Sequence, residues 1–132
     1  MPVLQEYFGE TQNIVRQNVK KFVDKEILPF VDEWEEQNTF PRELYVKAGA
    51  VGFLGLGHPE EFGGTGDDIF SKIAASEELM RSTSGGLVAS LGSIDIGLPP
   101  IWRWAQPEIK QRVVPEVISG EKIIALAITE PS

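Results

Sequence analysis

Apolar residues recur at helical spacing along most of the chain. Val15, Val19, Phe22, Val23 and Ile27 share one face of a helix that starts at Gln5 or Glu10 and ends at Ile27. Lys20, Lys21, Asp24 and Lys25 fill its other face, and Pro29 stops it. A short helix from Phe30 to Gln37 follows, with Phe30, Val31 and Trp34 on one side. Pro41 suits the first turn of a third helix, in which Leu44, Ala48 and Val51 face inward and Gly49 and Gly52 give a loose end. A fourth helix runs from Ile69 to about Ser82, with Ile69, Ile73, Glu77 and Met80 in register and Asp67 or Asp68 as its cap. Gly85 to about Trp104 reads as one apolar helix rich in small residues. Its Gly85, Gly86, Ala89, Ser90, Gly92 and Ser93 leave room for close helix contact or for a ligand. Pro107-Glu108 opens the last helix, which reaches about Ser119. Pro115 should kink it or end its regular part, and Gly120 closes it.

Two stretches break this periodicity. Gly55 to Asp68 holds five glycines and a proline, which predicts a long loop without regular structure. Ile123 to Ile128 is a run of apolar, often β-branched residues ending at Thr129-Glu130-Pro131, which predicts a strand. A lone strand cannot satisfy its own backbone donors and acceptors. The chain is therefore expected to be the front part of a larger protein. Residues 1–120 would form a helical domain and residues 121–132 would begin a β-domain. The predicted fold class is all-α, an orthogonal or up-down bundle of about six helices followed by the first strand of an absent β-domain.

Composition narrows the function. With 132 residues and 42% hydrophobic content the chain can build a real core. A net charge of −8 disfavours non-specific nucleic-acid binding and anionic membrane surfaces. The absence of cysteine excludes a disulfide framework and thiolate metal ligation. The start, Met1 to Glu6, carries neither the basic region nor the apolar region of a signal peptide. Leu87 to Trp102 is apolar but shorter than the roughly 20 residues of a membrane span, and Pro99-Pro100 interrupts it. A cytoplasmic protein with neither a nucleic-acid nor a membrane partner is expected.

Candidate chemistry is sparse. His58 is the single histidine and lacks a nucleophile and acid in a fixed pattern, so it reads as a loop residue rather than a base. The glycines of Pro59 to Gly66 lack the Gly-Lys-Ser/Thr ending of a P-loop, so the segment reads as a shaped connection. Glu77 and Glu78 read as solvated or capping acids, and Trp34, Trp102 and Trp104 as core or interface. No carboxylates fall at metal-ligand spacing. Asp95, a lone acid in an apolar stretch, could face solvent, cap a neighbouring helix or shape a ligand tunnel.

The order of several short motifs carries more. Ile27-Leu28-Pro29 is followed by Phe40-Pro41-Arg42-Glu43-Leu44, Gly52-Phe53-Leu54-Gly55-Leu56 and Pro59-Glu60-Glu61-Phe62-Gly63-Gly64. Then come Glu77-Glu78-Leu79, Gln106-Pro107-Glu108-Ile109-Lys110-Gln111, Ser119-Gly120-Glu121 and finally Ala127-Ile128-Thr129-Glu130-Pro131. In this order the chain resembles the N-terminal helical domain of the acyl-CoA dehydrogenase family over nearly its whole length.

That resemblance implies three domains, of which this chain supplies the first and the opening strand of the second. It implies FAD between the domains, an acyl-CoA substrate, a proton taken by a glutamate of the C-terminal domain and a hydride passed to the flavin. No catalytic residue is assigned within this chain. Leu126, Ile128 and Thr129 fall on the family's segment beside the isoalloxazine ring. For Thr129, a strand-end hydroxyl bonding its own turn is the structural alternative. Leu87, Leu91, Ile94 and Leu98 fall where the family's helices flank the acyl chain, although such a stripe is also what plain core looks like. An electron-transferring flavoprotein as acceptor and a homotetramer are implied in the same way. An acyl-CoA oxidase or flavin monooxygenase of the same fold, and a non-catalytic helical binding module, are the alternatives.

Overall fold

The computed structural model describes residues 6–66 and 68–131. The possible helix start at Gln5, the leader reading of Met1 to Gln5, the capping alternative at Asp67 and the terminal Ser132 lie outside the described residues. Among the described residues there are seven α-helices and no strand. They are α1 (Glu10–Glu26), α2 (Val31–Gln37), α3 (Glu43–Ala50), α4 (Ile69–Leu79), α5 (Gly85–Gly92), α6 (Ile94–Trp104) and α7 (Pro107–Ile118). Single 3-10 turns at Glu60–Phe62 and Met80–Ser82 flank α4.

The helix ends follow local chemistry. Asp68 caps α4: its Oδ1 accepts from the amides of Phe70 (3.0 Å) and Ser71 (3.3 Å). Its Oδ2 accepts from Gln12 Nε2 of α1 at 2.8 Å, so the cap also ties α4 to α1. Ser84 caps α5 by accepting from the Leu87 amide at 3.2 Å, and its own hydroxyl donates to Glu35 of α2. Such caps answer amides that have no partner inside the helix, and each contributes about 1 kcal/mol.

One core joins these elements. Val19, Phe22, Val23 and Ile27 of the first helical stretch meet Leu44 and Ala48 of α3, Leu79 of α4, Leu87 and Leu91 of α5, Leu98 of α6, and Val114 and Ile118 of α7. Removing a leucine-sized side chain from water is worth about 2 kcal/mol, so this cluster dominates stability. The α1–α4 and α6–α7 pairs make the most extensive helix contacts.

The structure corrects the sequence reading at five points. First, the stripe Ile69, Ile73 and Met80 faces outward (58%, 39% and 56% exposed). The buried face of α4 is Ser71, Ala74, Ala75 and Leu79, because small side chains let α4 lie close against α1. Second, the apolar stretch from Gly85 to Trp104 is two helices, broken at Ser93, whose hydroxyl lies 2.8 Å from the Ser90 carbonyl oxygen. Third, of the two outcomes expected at Pro115, the helix end is not the one observed, since α7 continues to Ile118. Fourth, the glycine-rich loop contains the 3-10 turn Glu60–Phe62, closed by Gly63 at φ 94°. Fifth, the predicted strand does not form. Ile123 to Pro131 carries no regular secondary structure, since a ladder needs a second strand and the described residues supply none.

Candidate functional site

The chain leaves α7 through Gly120, which holds φ +81°. A Cβ at this position would lie 2.1 Å from the Tyr45 carbonyl oxygen. Only glycine permits both the left-handed turn and this approach to α3. The next residues are then fastened one by one. The Glu121 carbonyl accepts from Arg42 Nη2 at 3.1 Å. The Lys122 amide donates to the Glu116 carbonyl at 2.9 Å, and Lys122 Nζ lies 2.5 Å from Glu116 Oε2. Ile124 packs beside Gly97 of α6, and its carbonyl lies 3.0 Å from Ser93 Oγ at the α5–α6 break.

Beyond Ile124 the fastening stops. Ala125 to Pro131 is exposed, with Leu126 at 48% and Ile128 at 71%. Leu126, Ile128 and Thr129 therefore lie together on one exposed run whose backbone groups have no partner among the described residues. Leu87, Leu91, Ile94 and Leu98 are 0–5% exposed and point into the helical core. Leu91 and Ile94 border a crevice of about 10 Å³ with Ile123 and Ile124, so the base of the exposed run rests on the helices that carry these side chains.

A cleft of about 490 Å³ opens beside this junction, with Leu87 in its lining. Trp34, Phe40 and Tyr45 form one wall as a chain of rings, with centroids 6.2 Å and 5.7 Å apart. Ser84, the cap of α5, Gly86 and Ser90 of α5 and Ile123 also line it, and Glu35 and Arg42 supply the charge. Burial raises the pKa of the Tyr45 phenol, against the opposing effects of the Ser90 hydroxyl and Arg42. The sequence reading missed this aromatic wall and the Arg42 tether. Phe40 and Arg42 stand in the Phe-Pro-Arg-Glu motif, but nothing in that motif announces a contact with Glu121, 79 residues away.

Asp95 sits in the first turn of α6 and lines a second groove of about 600 Å³ together with α4 residues, among them Ile69 and Ile73, and Met80 of the 3-10 turn that follows. Its Oδ1 lies 2.5 Å from Lys72 Nζ and 3.4 Å from His58 Nε2. Burial pushes the Asp95 carboxyl up, but His58 and Lys72 outweigh it and bring the net pKa below the usual range. His58 is a loop residue by position, yet it is 1% exposed, and neither ring nitrogen has a hydrogen-bond partner of good geometry. Glu77 and Glu78 pair with Arg16 at 2.6 Å and 3.7 Å. Trp34 and Trp102 pack against the core, whereas Trp104 is 76% exposed. Among the described residues no group of three or more His, Cys, Asp or Glu side chains could hold a metal ion, and no helix is long and apolar enough to cross a membrane.

Residues 9–121 match the family model described as acyl-CoA dehydrogenase, N-terminal domain. The chain is 36% identical over 128 residues to the mitochondrial long-chain specific acyl-CoA dehydrogenase of Rattus norvegicus, covering 97% of this chain and 30% of that protein. It is 36% identical over 123 residues to the short-chain specific acyl-CoA dehydrogenase of Clostridium acetobutylicum, covering 92% of this chain and 32% of that one. Its fold superposes on an acyl-CoA dehydrogenase complexed with FAD from Bacillus anthracis with a TM-score of 0.84 at 34% identity, over 96% of this chain and 22% of the other. The chain thus spans about a third or less of the length of these relatives. By this match it belongs to the acyl-CoA dehydrogenase N-terminal domain family.

Proposed function

We propose that the chain serves as the N-terminal helical part of an FAD-dependent acyl-CoA dehydrogenase that introduces a double bond between the α and β carbons of an acyl-CoA thioester. The observation that carries this reading is the family match, which runs through nearly the whole helical body. Residues 1–120 are the helical domain of that enzyme and residues 121–132 open its β-domain. No catalytic base is assigned to this chain.

The exposed run after Ile124 fits one edge of a flavin. Its unpaired N–H and C=O groups and the Thr129 hydroxyl can bond polar ring atoms, while Leu126 and Ile128 cover apolar ring surface. FAD, when bound, supplies the hydride acceptor. The residues of this chain orient it: Gly120, Arg42 and Ser93 set where the run leaves the helical body. Leu87, Leu91, Ile94 and Leu98 form the apolar backing on the acyl side, an inner layer that keeps α5 and α6 rigid and dry. An electron-transferring flavoprotein as acceptor, a homotetramer and a cytoplasmic location belong to the same proposal.

The test uses the complete enzyme. Purified protein should carry a yellow flavin spectrum that bleaches when an acyl-CoA is added without oxygen, and a colourless protein that no acyl-CoA alters would end this reading. Thr129→Ala should change flavin affinity or redox behaviour more than acyl-chain preference. Unchanged flavin properties would remove Thr129 from the flavin edge.

A further inference from the structure

We propose that the Lys72–Asp95 pair is a latch on the first turn of α6, and that Asp95 is thereby a positioning residue for the flavin. This deepens the dehydrogenase reading and rests on it. Three observations, all within the helical body, lead to it.

The first is a weakness in α6. Its ladder begins with the Gly97 amide donating to the Ser93 carbonyl at 2.9 Å. Pro99 and Pro100 lie inside the helix and lack the amides that would donate to the carbonyls of Asp95 and Ile96. The first turn also has no side-chain cap. The Ser93 hydroxyl is turned instead toward the carbonyls of Ser90 and Ile124. The backbone of α6 therefore holds its own first turn poorly, and contacts from outside the helix must set where that turn lies.

The second is the outside contact. Asp95 Oδ1 accepts from Lys72 Nζ of α4 at 2.5 Å. The stem of Lys72 lies across Gly57, where a Cβ would collide with it. His58, 1% exposed, stands behind the pair with Nε2 3.4 Å from the same oxygen. The carboxylate thus joins α6 to α4 and to the glycine-rich loop.

The third is what the turn carries. Ser93 and Gly97 are four residues apart and share one face of the helix, and Ile124 rests on both. Asp95 is two residues from each and lies on the opposite face. The turn is gripped between Lys72 on one side and Ile124 on the other. A shift of the turn moves the last fastened residue before Leu126, Ile128 and Thr129. An ion pair this exposed adds little to stability, so its effect falls on position.

FAD binding to the apoenzyme of the complete protein tests this. Asp95→Asn and Lys72→Met should each raise the FAD Kd about threefold, as fits a half-exposed ion pair. The double variant K72M/D95N should bind no worse than either single one, because both changes remove the same contact. Lys72→Arg keeps the charge and should bind FAD like the wild type. In a Ser93→Ala background the effect of D95N should shrink, since the route to Ile124 runs through that hydroxyl. Four results would each overturn the latch and leave the dehydrogenase reading standing: a flavin enzyme in which D95N binds FAD as tightly as the wild type, full additivity of K72M and D95N, K72R as weak as K72M, or an undiminished D95N effect on Ser93→Ala. A complete protein that binds no flavin would overturn both.

Discussion

Ser93 Oγ sits 3.0 Å from the carbonyl oxygen of Ile124, so the break between α5 and α6 is also the last point at which the chain's C-terminal segment is held. The hydroxyl is simultaneously 2.8 Å from the Ser90 carbonyl oxygen, and one side chain thereby serves both a helix end and a tether. Ser93→Ala should cost about 1 kcal/mol in urea unfolding and speed tryptic cleavage after Lys122. An unchanged cleavage rate would mean that Ile124 is held by packing on Gly97 alone.

Gly120→Ala combines a left-handed backbone with a Cβ 2.1 Å from the Tyr45 carbonyl oxygen, an atom that cannot step aside without moving α3. The loss should exceed about 2 kcal/mol. Gly52 has a similar φ of +82° but open space around it, so Gly52→Ala should cost only about 1 kcal/mol. Equal losses in thermal unfolding would show that the turn, and not the approach to α3, sets the requirement at Gly120.

The Asp68 carboxyl lies below its ordinary range. The Ser71 hydroxyl does most to hold it there against burial, and Gln12 and the amides of Ser71 and Phe70 add to the effect. A carboxyl lowered by folding stabilises the fold fully above its unfolded pKa of about 3.9, and that contribution fades as pH falls through the lower folded value. Asp68→Ala should therefore cost about 1 kcal/mol at neutral pH and progressively less in strong acid. A deficit that persists undiminished in acid would rule out the charged cap as its origin.

His58 is buried with both ring nitrogens lacking good partners, a cost that the nearby Asp95 at 3.4 Å does not remove. Replacing such a group by an apolar one of similar size removes its desolvation cost together with its contact to Asp95, which Lys72 still holds at 2.5 Å. His58→Leu should leave unfolding free energy unchanged or raise it by up to about 1 kcal/mol. A clear loss of stability would show that the imidazole does hold Asp95 in place.

Much of the helical body could be read from residue pattern alone, because proline, glycine and capping chemistry act locally. Glu10, Gln37, Asp68, Pro107 and Gly120 mark boundaries within a residue or two of where they were expected. The packing faces were harder. Ile69, Ile73 and Met80 have the spacing of a core stripe, yet a close helix pair selects for small residues, and Ala74 and Ala75 took the interior. The site was legible only in outline. Leu126, Ile128 and Thr129 do share one exposed run. What positions that run — Arg42, Ser93 and Gly97 — comes from residues 27 to 79 positions away from their contacts, a distance over which sequence periodicity carries no information.

The close seam between α1 and α4 inverts the usual map of tolerance along a helix. Along the middle of α4 the small side chains, not the isoleucines, fill the interior. Ile73 and Met80 should accept polar replacement with little loss, while enlarging Ala74 or Ala75 by even a few carbons should wedge the two helices apart. In a saturation scan of Ile69–Leu79, the quiet positions would be the isoleucines and the fragile ones the alanines.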